Sequence, residues 1–199
     1  MNIAHLVLSW ALAITPLLSI SPPEIGVASW YGHPYHGRRT ANGEIYDMEQ
    51  MTAAHPTLPF GTRVRVSNPE NHKSVEVRIN DRGPFVEGRI LDLSHAAARA
   101  IDLVDPGVTQ VQVEVIELPG DGGAGLFGVQ VGAFLDRRNA ERYVELMRSR
   151  YGAARLTMRD GDPVFWRVQV GREATEDGAR ALAARIRRAS GAAFVVRLD

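Results

Sequence analysis

The residues best able to do chemistry crowd between Ala28 and Phe85, and Asp81 is the most informative of them. It continues the parity of Val75, Val77 and Ile79, which alternate with Glu76 and Arg78, and Gly83 and Pro84 end the strand just beyond it. That parity places it on the apolar side of the strand, at the strand's end. A carboxyl at the lip of an apolar core tends to keep its proton to higher pH and can deliver it to a substrate. The run Asn80-Asp81-Arg82-Gly83-Pro84 is equally good turn chemistry, in which an Asp only bonds backbone. The residues alone leave both readings standing. Trp30, Tyr31, Tyr35 and Phe85 lie in or beside the same segments. Aromatic faces suit the apolar side of a sugar ring, although core packing is their commoner use. His5, His33, His36, His72 and His95 show no paired spacing with carboxylates, so no metal or other cofactor is expected.

The elements that must position these groups are legible as periodicity. Val64 and Val66 alternate with Arg63 and Arg65, and Val111, Val113 and Val115 alternate with Gln112 and Glu114. Such period-two runs predict strands. A short helix is predicted from Ser94, a natural N-cap, through His95 to Ile101. Gly and Pro punctuate the remainder, so residues 26–118 read as a compact, mainly β barrel. Residues 119–125, Pro-Gly-Asp-Gly-Gly-Ala-Gly, have high backbone entropy and nothing to bury, which predicts a linker. Beyond it, Val129-Gln130-Val131-Gly132 recurs as Val168-Gln169-Val170-Gly171, 39 positions later, and Tyr151-Gly152-Ala153 is echoed by Ser190-Gly191-Ala192 at the same offset. Each unit reads strand, helix, strand, with helices from about Arg137 to Tyr151 and Thr175 to Ala189. Ala140, Tyr143, Val144 and Met147 form one apolar stripe, and Ala179, Leu182, Ala183 and Ile186 the other. Residues 126–199 are therefore expected to fold as a small split β-α-β sheet with both helices on one face and the other face open to a ligand.

Charge divides the chain at the same place. The first 124 residues hold 9 basic and 14 acidic groups, whereas those from Gly125 onward hold 14 arginines, no lysine and 9 acids. The Arg-rich half could face an anionic polymer, or its arginines could be solvated helix faces. No nucleic-acid motif accompanies the excess, so nucleic acid is not an expected partner. The absence of Cys excludes disulfides, thiolate metal sites and a lipid on an N-terminal Cys. Residues 1–25 begin largely apolar, interrupted by His5, Ser9, Thr15 and Pro16, and read as a signal sequence or an uncleaved anchor, hence export.

Five segments in matching order carry a resemblance: Ala28-Ser29-Trp30-Tyr31-Gly32; His36-Gly37-Arg38-Arg39-Thr40-Ala41-Asn42-Gly43-Glu44; Thr52-Ala53-Ala54-His55; Leu58-Pro59-Phe60-Gly61-Thr62; and Asn80-Asp81-Arg82-Gly83-Pro84-Phe85. Together they resemble the rare lipoprotein A family from Gly26 to about Leu118, and the second half resembles the sporulation-related repeat domain that accompanies it. The resemblance implies a six-stranded double-psi β-barrel that acts as an endolytic peptidoglycan lytic transglycosylase, followed by a domain that binds glycan strands stripped of stem peptides. It also implies a place in the periplasm or cell envelope at the division septum, with cell-division proteins as partners. The family's lipoprotein Cys is missing, so lipid anchoring does not carry over.

Carried onto this sequence, the resemblance makes Asp81 the catalytic acid and base, with Glu44 and His55 as the other two active positions. Glu44 could tune the proton on Asp81 or stabilise positive charge on the sugar, or be a solvated loop acid beside Gly43. His55 could orient a carboxylate or bond a sugar hydroxyl, or be a turn histidine before Pro56. Trp30, Tyr31, Arg82 and Phe85 are expected to touch substrate in the barrel, and Gln130 and Gln169 in the second domain. A hydrolase needs two carboxyls, whereas a lytic transglycosylase can use one, because the sugar's own C6 hydroxyl attacks C1. The alternatives are a hydrolase and a non-catalytic peptidoglycan-binding septal scaffold.

Overall fold

A computed structural model describes residues 22–120, 125–159 and 163–198. The expected signal sequence or anchor falls almost wholly outside the described residues, as does the centre of the expected linker. Among the described residues, no helix is long and apolar enough to cross a membrane.

Six strands make the first unit: β1 (Glu24–Tyr31), β2 (Thr52–Ala54), β3 (Arg63–Ser67), β4 (Ser74–Asp81), β5 (Arg89–Ser94) and β6 (Val108–Glu117). They close in the order β1-β5-β2-β4-β3-β6, the double-psi barrel expected, and closure leaves no open edge. The pairs β1/β5 and β2/β4 are parallel, and the other neighbours antiparallel. The alternation read from the sequence sorts the side chains: Val64, Val66, Val77, Ile79, Val111 and Val113 are buried in one core, while Arg63, Arg65 and Glu76 pair across the outer surface. Each such aliphatic side chain contributes about 1.5–3 kcal/mol by leaving water. Helix α1 (His95–Ala100) starts where expected, because Ser94 Oγ accepts the Ala97 N–H at 3.2 Å; Ile101 is its C-cap.

The second unit is one sheet with two helices: β7 (Phe127–Phe134), α2 (Arg137–Tyr151), β8 (Ala154–Arg159), β9 (Phe165–Glu173), α3 (Glu176–Ser190) and β10 (Phe194–Arg197), with strand order β10-β7-β9-β8. Every adjacent pair is antiparallel, so β7 and β8 run parallel with β9 inserted between them, and β9 and β10 likewise enclose β7. These are two interlocked split β-α-β units. The 39-residue offset governs more than the sequence motif. The N-caps Asp136 and Thr175 obey it, as do the C-caps Gly152 and Gly191 and the Arg148 and Arg187 guanidiniums, which donate to the Ala154 and Ala193 carbonyls. Thr175, read from sequence as the first helical residue, is the cap of α3. The stripes Ala140, Val144, Met147 and Leu182, Ala183, Ile186 bury against Val129, Val131, Val168 and Val170.

The helix-free face is partly covered by the barrel: the Phe194 ring meets Phe85 edge-on at 6.2 Å, the Arg197 N–H on the free edge of β10 donates to the Pro56 carbonyl at 3.0 Å, and the rest of the face lines cavities between the two units.

Candidate active site

Asp81 closes β4 with only 2% of its surface exposed. Its Oδ1 accepts two backbone N–H groups, from Ala41 at 2.9 Å and from Arg82 at 2.8 Å, which fixes the plane of the carboxyl group. The Ala41 amide reaches it because residues 39–45 fold back over the strand end, closed by a bridge between Arg39 and Ile45 and by the Thr40 N–H donating to the Glu44 carbonyl at 2.8 Å. Glu44 ties that loop to the strand. Arg78 donates to both of its oxygens at 2.8 and 2.9 Å, and Asn80 Nδ2 adds a bond of 3.1 Å. The Arg78 hydrogen bond, with smaller help from Asn80 and Asn42, outweighs partial burial and brings the Glu44 carboxyl down to about 2. Glu44 is thus an anion whose contacts shape the loop that supplies an amide to Asp81.

His55 follows β2, and its own N–H donates to the Asp81 carbonyl at 3.1 Å. Both ring nitrogens are engaged elsewhere. Nδ1 accepts the Thr57 and Leu58 N–H groups at 3.1 and 3.0 Å, so the proton sits on Nε2, which donates to Glu24 Oε2 at 3.1 Å. That bond is the chief reason the Glu24 carboxyl lies below the usual range, against the opposing effect of burial. Arg82, also buried, braces the same segment, donating to the Leu58 carbonyl at 2.9 Å while its guanidinium lies 3.6 Å from the Phe60 ring centroid.

The groove beside Asp81 is aromatic. Tyr31 stacks on Tyr46 (4.3 Å between centroids, 19° between planes), Tyr46 Oη donates to the Tyr31 carbonyl at 2.5 Å, and Tyr35 meets Tyr31 edge-on. Burial pushes the Tyr46 phenol well above its usual range, so it stays a donor. Trp30 is turned to structural use: its indole N–H donates to the Val104 carbonyl at 3.3 Å, and its ring packs on the barrel core. It still borders the groove.

The sequence reading missed Asp92. Register places Ser29, Asp92, Ala54 and Asp81 in one row across β1, β5, β2 and β4. At about 4.8 Å per strand, the two Asp residues stand roughly 10 Å apart in the backbone. Ser29 Oγ donates to Asp92 Oδ1 at 2.6 Å and Arg89 to Oδ2 at 3.3 Å, and a cavity of about 320 Å³ is lined by both carboxylates together with Tyr31 and Phe85. The available signal was that Asp92 interrupts the apolar run of Ile90, Leu91 and Leu93.

Of the residues singled out from sequence, Asp81, Trp30, Tyr31, Arg82 and Phe85 converge on this groove. The side chains of Glu44 and His55 flank it and line neither cavity that contains Asp81. Gln130 and Gln169 pair across the sheet, in a row with Phe194 and Arg155, on the helix-free face. Gln130 joins Asp81 around a cavity of about 200 Å³, and Gln169 borders the neighbouring one.

Comparison with known proteins matches residues 24–113 to the lytic transglycolase family and residues 123–197 to the SPOR domain. The chain is 59% identical over 92 residues to the probable endolytic peptidoglycan transglycosylase RlpA of Synechocystis, covering 46% of this chain and 29% of that one. It is 59% identical over 93 residues to the endolytic peptidoglycan transglycosylase RlpA of Vibrio cholerae (47% and 35%), and 55% identical over 93 residues to that of Pseudomonas aeruginosa (47% and 27%). The matched part of this chain thus spans about a third of the length of these relatives. Among solved structures, Streptomyces papain inhibitor shares 23% identity with a TM-score of 0.41, over 50% of this chain and 98% of that one, a likeness too loose to build on. The family resemblance read from both halves of the sequence is borne out.

Proposed function

We propose that this chain, which matches a lytic transglycolase domain followed by a SPOR domain, cuts peptidoglycan glycan strands internally and leaves 1,6-anhydro-MurNAc ends. The observation that carries this reading is Asp81: a carboxyl buried at the strand end, its plane set by two amides, facing an aromatic groove wide enough for sugar rings. Asp81 protonates the glycosidic oxygen between MurNAc and GlcNAc as the C1–O bond breaks. The C6 hydroxyl of the same MurNAc then bonds to C1, and Asp81 takes that hydroxyl's proton, returning to its starting state with no water consumed. Intramolecular attack keeps the entropic cost low. Tyr31, Phe85 and the edge of Trp30 offer faces to the sugars; Arg82 and His55 hold the 55–60 segment, and Glu44 holds the loop that carries the Ala41 amide. Gln130 and Gln169 contact peptide-free glycan from the second domain's sheet, and residues 119–125 link the two units.

Asp92 supports a second reading. It provides a second carboxylate, as hydrolysis requires, lining the same groove. Digesting purified sacculi and weighing the products separates the two chemistries. Anhydro ends, lighter by one water, are expected; reducing ends would make Asp81 and Asp92 a hydrolytic pair, and no product at all would leave a wall-binding scaffold. A peptidoglycan substrate supports a place in the cell envelope, and the SPOR domain supports one at the septum beside division proteins. Fractionated cells should yield it with the envelope, and recovery in the cytosol would defeat that placement.

A further inference from the structure

The helix-free face of the second sheet and the mouth of the barrel enclose a common space. Arg167 of β9 holds its guanidinium 4.6 Å from the Phe85 ring centroid, and the cavity of about 200 Å³ behind that contact is lined by Asp81, Tyr31 and Phe85 from the barrel and by Gln130, Arg167 and Phe165 from the sheet. Phe85 and Arg167 also border the adjoining cavity of about 420 Å³, so the two cavities share that wall. Spaces of this size suit sugar rings rather than a sealed contact between domains.

Gln130 is the telling residue. It is 4% exposed, and its Oε1 has no hydrogen-bond partner among the described residues. A buried amide carbonyl without a donor is costly, and a native protein keeps one where water, an ion or a ligand completes it; among the described residues with such an atom, Gln130 is the one that the sheet presents to the barrel's groove. The sheet register explains why it is there: Val129 and Val131 are committed to the helices, which turns Gln130 to the opposite face, beside Phe194 and over the groove. What it lacks is a donor, and a glycan strand of N-acetylated sugars offers acetamido N–H and hydroxyl O–H groups.

We propose that Gln130 is a substrate-binding residue of the cutting site itself: it accepts a hydrogen bond from the sugar seated beside Asp81, so that one strand is gripped by both domains at the point of cleavage. This rests on the glycan-cutting reading above. It makes the second domain a wall of the active site as well as a tether.

The full chain tests it in three ways. Gln130→Ala, and Gln130→Leu as a variant closer in size that keeps the wall filled, should lower kcat/KM about three- to tenfold, the value of one lost hydrogen bond. In an Asp81→Asn background that cannot turn over, calorimetry with a peptide-free GlcNAc-MurNAc tetrasaccharide should show the same loss of affinity on Gln130→Ala and also on Phe85→Ala. Because the chain has no native Cys, Pro56→Cys with Arg197→Cys can lock the two units where the backbone bond joins them. The oxidised chain should cut as well as its reduced form. Parental kcat/KM in both Gln130 variants overturns the proposal, as does a locked chain that is silent until reduced, which would make the docked arrangement a closed form. Failure of the cutting reading looks different: the parent makes no anhydro ends, while the calorimetric losses still report whether both domains hold one ligand.

Discussion

The barrel and the second sheet hold their polar groups by opposite means. In the barrel every candidate residue is fixed by contacts from distant segments: Asp81 by an amide 40 residues away, Glu44 by Arg78 34 residues on, His55 by Glu24 31 residues back. In the sheet, position follows from a repeat, with caps, stripes and paired glutamines all set by one 39-residue offset. Chemistry requires atoms held in a single arrangement, and a web of non-local bonds achieves that. Recognition of a repeating strand can be served by a regular row. The difference predicts that substitutions in the barrel act through particular partners, whereas those in the sheet act alike at equivalent positions.

The largest effect tests the barrel's side of that contrast. Asp81→Asn preserves size and can still accept the Ala41 and Arg82 amides through its carbonyl, yet it has no proton to transfer. Activity on sacculi should fall by about 10²–10⁴-fold with the melting temperature little changed. Near-parental turnover would remove Asp81 from the mechanism and turn attention to Asp92. His55→Ala should act mainly on stability, because the Thr57 and Leu58 amides lose their acceptor together. A loss of about 1–3 kcal/mol in urea unfolding is expected, with activity reduced less than in Asp81→Asn. If His55→Ala unfolds like the parent but is as inactive as Asp81→Asn, its imidazole touches substrate and the bracing role is wrong.

The sheet's side is tested by a matched pair. Gly152 and Gly191 cap their helices at φ of 87° and 90° with ψ of −121° and −123°, and a Cβ at either would meet nothing within 4 Å. The cost of Ala is therefore backbone strain alone, roughly 1–2 kcal/mol after the gain from a stiffer unfolded chain. Separate Gly152→Ala and Gly191→Ala variants should lose equal stability. A twofold disparity would show that the repeat is geometric only and that its two halves carry unequal loads.

This contrast also governs what the sequence could disclose. Strands β3, β4 and β6, the strands and helices of the repeat, and the Ser94 cap were legible because alternation and the 39-residue repeat are local signals, and Asp81 was legible because its burial follows from the parity of Val77 and Ile79. Asp92 was not, since its meaning depends on the parallel register that sets it beside Ser29, 63 residues away. Nor could the sequence show that Glu44 would be clamped by Arg78, or that the sheet's helix-free face would lie on the barrel, because each depends on how separate segments meet in three dimensions.

Glu44 gives the smallest effect and the finest test of whether the barrel's polar web does chemistry or only positions it. Its carboxyl titrates near 2 in the folded chain against an ordinary value of 4.5, so the ionised form favours the fold. The resulting stability is present in full above about 4.5 and is lost as pH falls toward about 2. Glu44→Gln should therefore be less stable than the parent at neutral pH, and the gap should close across that acidic window. With 42% of the Glu44 side chain exposed, solvent screening keeps the gap below about 1 kcal/mol. The same value means that Glu44 holds no proton to donate near neutral pH. Its replacement should lower turnover only a few-fold, by loosening the loop that carries the Ala41 amide, and should leave the acidic limb of the pH–rate profile where it was. A limb that shifts in Glu44→Gln would give this carboxylate a direct part in proton transfer, and the division between a fixed acid and its positioning network would have to be redrawn.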